Sequence, residues 1–229
     1  MVRQEKQKVI ETIIEVGVIP IFYHEDFKTA RSITEACYRG GARVVEFTNR
    51  GEKALDVFSQ LNNWSVQQYP QFILGAGSIL DAGTAALFIE KGAQFIVSPA
   101  LKKAVAKFCN RKKIIYIPGC GSVTEISQAQ EWGAEICKIF PAKEVGGPGF
   151  IKALLGPMPW SKVMPTGGVE LSKENIFGWI QAGATCLGMG SHLIPSNSVT
   201  ARKFQDITEN VKKSIEWVRE ARQSKSSVY

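Results

Sequence analysis

Glu135-Ile136-Cys137-Lys138-Ile139-Phe140-Pro141-Ala142 places a lysine inside a short apolar run that closes on a Phe-Pro-Ala corner. Read as a strand, the run alternates: Ile136, Lys138 and Phe140 share one face, Cys137 and Ile139 the other. In a parallel sheet covered on both sides, that lysine projects into a largely apolar interior. An ammonium is costly to bury, so a lysine in such a place is either paired or driven toward the neutral amine. A neutral amine attacks ketones and forms imines. The plainer alternative is a strand-end lysine whose stem packs while its head reaches water.

Outward from this run, short β-like segments alternate with helical ones along the chain. Strands are expected at 18–22, 43–48, 72–76, 95–98, 114–117, the lysine run, 162–164 and 186–189. An opening helix at 5–16 precedes them. Helices at 27–39, 52–64, 82–91, 102–110, 123–132, 150–155, 173–181 and 200–222 follow them in turn. Asp26 is placed to cap the helix at 27–39. A Gly-Ala pair recurs ahead of several strands, and Gly41, Gly92, Gly133 and Gly183 fall where helices must stop. Eight strand–helix units with no linker predict a single α/β domain over 1–229, a (β/α)8 TIM barrel with an extra N-terminal helix. A doubly wound open sheet would need a Gly-rich dinucleotide loop after the first strand, where Tyr23-His24-Glu25-Asp26 stands instead.

With 229 residues, 45% of them hydrophobic, the chain can build one sizeable core. No apolar run approaches the roughly 18 residues of a membrane span. The mixed charge of the first fifteen residues does not read as a signal peptide. Five scattered cysteines without a C-x-x-C pair fit a reduced, cytoplasmic protein. The formal charge of +7 comes largely from two helical segments whose basic residues are interspersed with apolar ones. That spacing describes solvated helix faces, not a nucleic-acid site, and an acidic small substrate accounts equally well for the bias. His24 and His192 are the only histidines, and neither lies in a cluster with metal-ligand spacing, so no metal or cysteine–histidine nucleophile is expected.

A barrel works at the C-terminal ends of its strands. There the chain carries Glu46, Thr48 and Arg50, then Gly75-Ala76-Gly77-Ser78, Ser98-Pro99, Pro118-Gly119, Lys138 with Phe140-Pro141, Pro165-Thr166-Gly167-Gly168 and Gly188-Met189-Gly190-Ser191. Glu46 shares its face with Val44 and Thr48; turned inward, it puts a carboxylate and an amine in one interior. The pair is either a buried ion pair or a proton shuttle beside a nucleophile. Arg50 can grip a carboxylate bidentately. Glycines after the last two strands (Gly167, Gly168, Gly190, with Ser191) are where barrels hold phosphate on bare backbone amides.

Val45-Glu46-Phe47-Thr48-Asn49-Arg50, Gly75-Ala76-Gly77-Ser78, Ile96-Val97-Ser98-Pro99, Ile117-Pro118-Gly119, Lys138-Ile139-Phe140-Pro141-Ala142 and Pro165-Thr166-Gly167-Gly168-Val169 resemble, in order, the 2-keto-3-deoxy-6-phosphogluconate / 4-hydroxy-2-oxoglutarate aldolase family. The resemblance implies a class I aldolase without metal or other cofactor, on a barrel that assembles as a homotrimer and takes a small 2-keto acid. It implies Lys138 as the Schiff-base lysine, Glu46 as the general acid/base and Arg50 as the ligand of the pyruvyl carboxylate. Ser78, Pro99, Phe140 and Thr166 would line the site, and Gly167, Gly168, Gly190 and Ser191 would hold a distal phosphate. Asn49 and Gly51 stand where the family often has leucine and threonine, Ser78 where it has threonine, and His192 where tryptophan is common. Two rival readings keep the fold: a phosphate-binding barrel isomerase with no use for Lys138, and a catalytically silent sugar-acid-binding barrel.

Overall fold

The computed structural model describes residues 4–226. Helix α1 (Lys6–Val16) opens the chain and β1 (Val18–Phe22) follows it. Then come α2 (Phe27–Arg39), β2 (Val44–Thr48), α3 (Ala54–Gln68), β3 (Ile73–Gly77), α4 (Ala82–Glu90), β4 (Phe95–Val97), α5 (Lys103–Lys112) and β5 (Ile115–Ile117). The second half runs β6 (Gly119–Cys120), α6 (Val123–Glu131), β7 (Cys137–Ile139), α7 (Gly147–Leu155), β8 (Val163–Pro165), α8 (Lys173–Ala182), β9 (Leu187–Met189), α9 (Ser196–Thr200) and α10 (Phe204–Ser226).

All named strand pairs are parallel, and they fall into two sheets. One has the order β5-β4-β3-β2-β1-β9, the other β6-β7-β8. Parallel strands alternating with helices are what the sequence led one to expect; two sheets rather than one uninterrupted ring are not. One break has a plain cause. β5 and β6 are consecutive and separated only by Pro118, whose nitrogen has no hydrogen to give a ladder. At the other seam β8 and β9 meet through a single parallel bridge, Thr166 with Gly188, and Thr185 N–H donates to Val163 O at 2.9 Å.

Alternation along each strand separates two apolar clusters. The larger lies between strands and helices, with Val45, Phe47, Leu74, Ile96 and Cys137 packed with Phe58, Phe88, Ile126 and Trp179. The smaller holds the opposite faces: Ile19, Val44, Ile73, Phe95, Ile115, Ile136, Met164 and Cys186, joined by Val9, Ile10 and Ile13 of α1. Lysine and arginine contacts tie down the same end. Lys6 pairs with Glu135, and the Arg222 guanidinium of α10 donates to the carbonyls of Ile14 (2.7 Å), Glu15 (3.1 Å) and Thr185 (2.8 Å).

The glycines expected as helix stops behave as such: Gly41, Gly92, Gly133 and Gly183 have φ of 102°, 103°, 83° and 110°, where a side chain is strained. Asp26 caps α2, accepting from Thr29 N–H at 2.8 Å. Helix α3 outruns the expected 52–64 because Ser65 is buried and its hydroxyl donates to Asn62 O at 3.0 Å, so its polar end still packs. The last helix, expected at 200–222, starts later, at Phe204, and an unexpected short helix, α9, precedes it. Arg202 turns left-handed (φ 56°), and the N–H groups of Arg202 and Lys203 donate back to Val199 (3.0 Å) and Ser198 (2.8 Å) to end α9. Among the described residues no helix is long and apolar enough to cross a membrane.

Candidate active site

The inward faces continue past the inner cluster into a cavity of about 630 Å³ at the C-terminal strand ends. All eleven residues singled out in the sequence line it. Lys138 sits mid-strand in β7, between Gly119 of β6 and Met164 of β8. It is 6% exposed, and its Nζ lies 4.9 Å from the Phe140 ring centroid. The corner after it is held by the next strand: Thr166 N–H donates to Ile139 O (3.0 Å), and Ala142 N–H donates to Thr166 O (2.9 Å). The Phe140–Pro141 peptide is cis.

Across the cavity, β2 turns Glu46 and Thr48 inward, 1% and 2% exposed. The Glu46 side chain lies in the space that a β-carbon on Gly77 would occupy. Such a carbon would stand 2.7 Å from Glu46 Cγ and would overlap the carboxyl group. Burial pushes the Glu46 carboxyl above the ordinary carboxylate range, while the charges of Lys138 and then Arg50 pull it back. Glu46 and Lys138 do not form an ion pair. The lysine's charge still reaches the Glu46 carboxyl, and both side chains line the same cavity. Glu46 Oε2 and Thr166 Oγ1 are both buried without a hydrogen-bond partner, an arrangement that native interiors rarely keep without a use.

The remaining wall is built from strand exits. Ser78, just past β3, is held at φ 60°, one of three non-glycine residues in the left-handed region among the described residues. Pro99 follows β4, and Arg50, exposed, follows β2 beside Asn49, whose N–H donates to Gly77 O at 2.8 Å. Gly167 and Gly168 turn at φ 86° and 84° after β8, and Gly190 and Ser191 leave β9 on the same side. A cysteine nucleophile has no place here. All five cysteines are buried; contact with Cys137 and burial raise the Cys120 thiol, and burial raises those of Cys37 and Cys186. Among the described residues no cluster of His, Cys, Asp and Glu is arranged to hold a metal.

This constellation has relatives. The sequence model of the family described as "Aldolase: KDPG and KHG aldolase" matches residues 9–210. The 2-dehydro-3-deoxy-phosphogluconate aldolase of Pseudoalteromonas atlantica is 34% identical over 86% of this chain and 89% of its own. The KHG/KDPG aldolase of Escherichia coli is 30% identical over 90% of this chain and 94% of its own. The chain belongs to the KDPG and KHG aldolase family. Among solved structures, the KDPG aldolase of Legionella pneumophila superposes with a TM-score of 0.79 at 28% identity, covering 88% of this chain and 96% of that one. In that structure pyruvate was captured at low pH as a covalent carbinolamine.

The aldolase cavity also has walls that the sequence reading passed over. Tyr23 and His24 line it from the exit of β1, and His192 and Thr200 from the segment after β9. His24, read as loop polarity, does serve its own loop, its Nδ1 accepting from Asp26 N–H at 3.0 Å. The available signal was position: both residues directly follow a strand, the same criterion that found Arg50 and Ser78.

Proposed function

We propose that this chain is a class I aldolase that cleaves a 2-keto-3-deoxy acid to pyruvate and an aldehyde. The substrate is 2-keto-3-deoxy-6-phosphogluconate, giving glyceraldehyde 3-phosphate, or 4-hydroxy-2-oxoglutarate, giving glyoxylate. The observation that carries the reading is the buried lysine and buried carboxyl facing one cavity without neutralising each other. Family membership gives that pair its chemistry.

The neutral amine of Lys138 adds to the C2 ketone, and a proton from Glu46 lets the carbinolamine lose water as an iminium. Arg50 holds the neighbouring carboxylate. As the ionised Glu46 takes the C4 hydroxyl proton, the C3–C4 bond breaks. Its electron pair flows into the iminium, leaving an enamine and an aldehyde. Protonation at C3 and hydrolysis of the imine release pyruvate and free Lys138. A carboxyl raised by burial suits a group that must give and take a proton in one cycle. Ser78, Pro99, Phe140 and Thr166 shape the reacting half, and the amides of Gly167, Gly168 and Gly190 with Ser191 would receive the distal phosphate.

The same reading takes the two sheets as one closed (β/α)8 barrel in a single domain. Residues 115–120 then act as one strand bent at Pro118, pairing β4 before the proline and β7 after it. The Thr166–Gly188 bridge closes the other seam. In support, the inner cluster draws side chains from strands of both sheets. A homotrimer in the cytoplasm completes the proposal; it would give cover to exposed apolar side chains such as Leu80 and Leu87. Sedimentation at the mass of one copy would remove that part.

Borohydride trapping tests the chemistry. Incubation with pyruvate, reduction and digestion should leave an adduct on the peptide carrying Lys138, absent in Lys138→Ala. A folded protein that yields no adduct at neutral pH refutes the class I mechanism.

A further inference from the structure

Strand order sets the sequence of loops around the cavity mouth. β2 pairs with β1, β1 with β9, and β9 is bridged to β8. A substrate whose carboxylate lies at Arg50 and whose far end lies at Gly167, Gly168 and Ser191 therefore crosses the exit of β1. Tyr23 stands there, half-buried and lining the cavity. Its ring meets Phe47 edge-on at 5.6 Å and 61°. Its hydroxyl lies against the bare α-carbon of Gly51: a β-carbon at that position would overlap Tyr23 Oη and come within 2.8 Å of Cζ. Gly51 is not in the left-handed region, so the backbone there does not demand glycine. The tyrosine does. Among the described residues the phenol oxygen has no hydrogen-bond partner, although it combines a donor and an acceptor at a cavity wall.

We propose that Tyr23 is a specificity-determining residue that hydrogen-bonds a hydroxyl on the aldehyde half of the substrate, in a position kept open by Gly51. The proposal rests on the aldolase reading and deepens it. The pyruvyl half is held by Arg50 and Lys138, so Tyr23 has no part in forming the imine. It acts on the carbons beyond the scissile bond. A site that offers a hydroxyl partner discriminates against chains that lack one, because the protein's own polar group is then left unpaired.

Two reactions separate the halves of the substrate. Cleavage of 2-keto-3-deoxy-6-phosphogluconate needs both; exchange of the pyruvate methyl protons for deuterium, followed by NMR, needs only the imine and its enamine. Tyr23→Phe keeps the ring and its contact with Phe47. It should lower kcat/KM for cleavage about tenfold, as expected for one lost hydrogen bond, and leave pyruvate exchange within twofold of the parent. Gly51→Ala, reaching the same hydroxyl from the other side, should give the same selective loss. Unchanged cleavage in Tyr23→Phe, or an equal fall in both reactions, overturns the role assigned to Tyr23. Absence of exchange in the unmodified protein strikes the aldolase reading itself.

Discussion

Substituting Gly77 by alanine adds one carbon at a position where the backbone tolerates it, since Gly77 is not among the left-handed glycines. The consequence lies across the strand pair. The new carbon would stand 2.7 Å from Glu46 Cγ, against an ordinary carbon–carbon separation of about 3.5–4.0 Å. The glutamate must therefore move by roughly 1 Å at Cγ, and by more at the carboxyl group beyond it. Overpacking of this kind costs about 1–3 kcal/mol of stability, which a domain of ordinary stability survives. A misplacement of about 1 Å in a catalytic group costs on the order of a hundredfold in rate, or about 2.7 kcal/mol of transition-state stabilisation. Gly77→Ala should accordingly fold, bind, and turn over about a hundredfold more slowly. Initial rates of pyruvate release would give kcat and KM, and a urea melt would confirm the folded fraction. A folded Gly77→Ala protein whose kcat stays within threefold of the parent would show that the position of Glu46 does not govern the reaction.

Glu46→Gln separates charge from shape. The carboxyl of Glu46 is raised by burial from an ordinary value of 4.5, so the folded state holds its proton more tightly than the unfolded chain. Its stabilising contribution is complete below that ordinary value and lost as pH rises toward the folded one. Glutamine does not titrate, so the denaturation midpoint of Glu46→Gln relative to the parent should climb between pH 4 and pH 8 while activity is lost; a constant difference contradicts the buried titration. Arg222→Ala removes donors to three carbonyls that join α10 to the end of α1 and the approach to β9. It should cost about 2–4 kcal/mol in urea unfolding, with kcat per folded molecule unchanged; a loss below 0.5 kcal/mol would mean these bonds are replaced by water. Gly149 in α7 has open space where a side chain would go. Gly149→Ala should therefore stabilise by about 0.5–1 kcal/mol and leave kcat alone, and a lower melting temperature would contradict that.

Much of the site was legible because function and alternation coincide. Lys138 and Glu46 each follow an inward apolar residue by two positions (Ile136, Val44), so period-two reading alone turned them toward the interior; Thr166, two positions after Met164, came only from the family resemblance. The recurring glycines marked helix ends because only a left-handed residue stops a helix in that way. Three features resisted. The split at Pro118 depends on which neighbour each half of the strand meets, a long-range choice that local pattern does not encode. The break at Arg202 uses a left-handed arginine, for which composition offers no warning. Tyr23 stayed hidden because its importance rests on the absence of a side chain at Gly51, 28 positions away in sequence.

Helix α1 has a consequence for the order of events. With Val9, Ile10 and Ile13 packed into the inner cluster, that end of the interior is filled, and the cavity is a well lined at the C-terminal strand ends. Lys138 lies deeper than the glycines that would hold the far end of the substrate. Under the proposed chemistry the aldehyde sits between the enamine and the exit. It must depart first, and pyruvate, still tethered to the lysine, leaves last. Run backwards, the well fills from the bottom: pyruvate enters first, and an aldehyde arriving ahead of it blocks the way down.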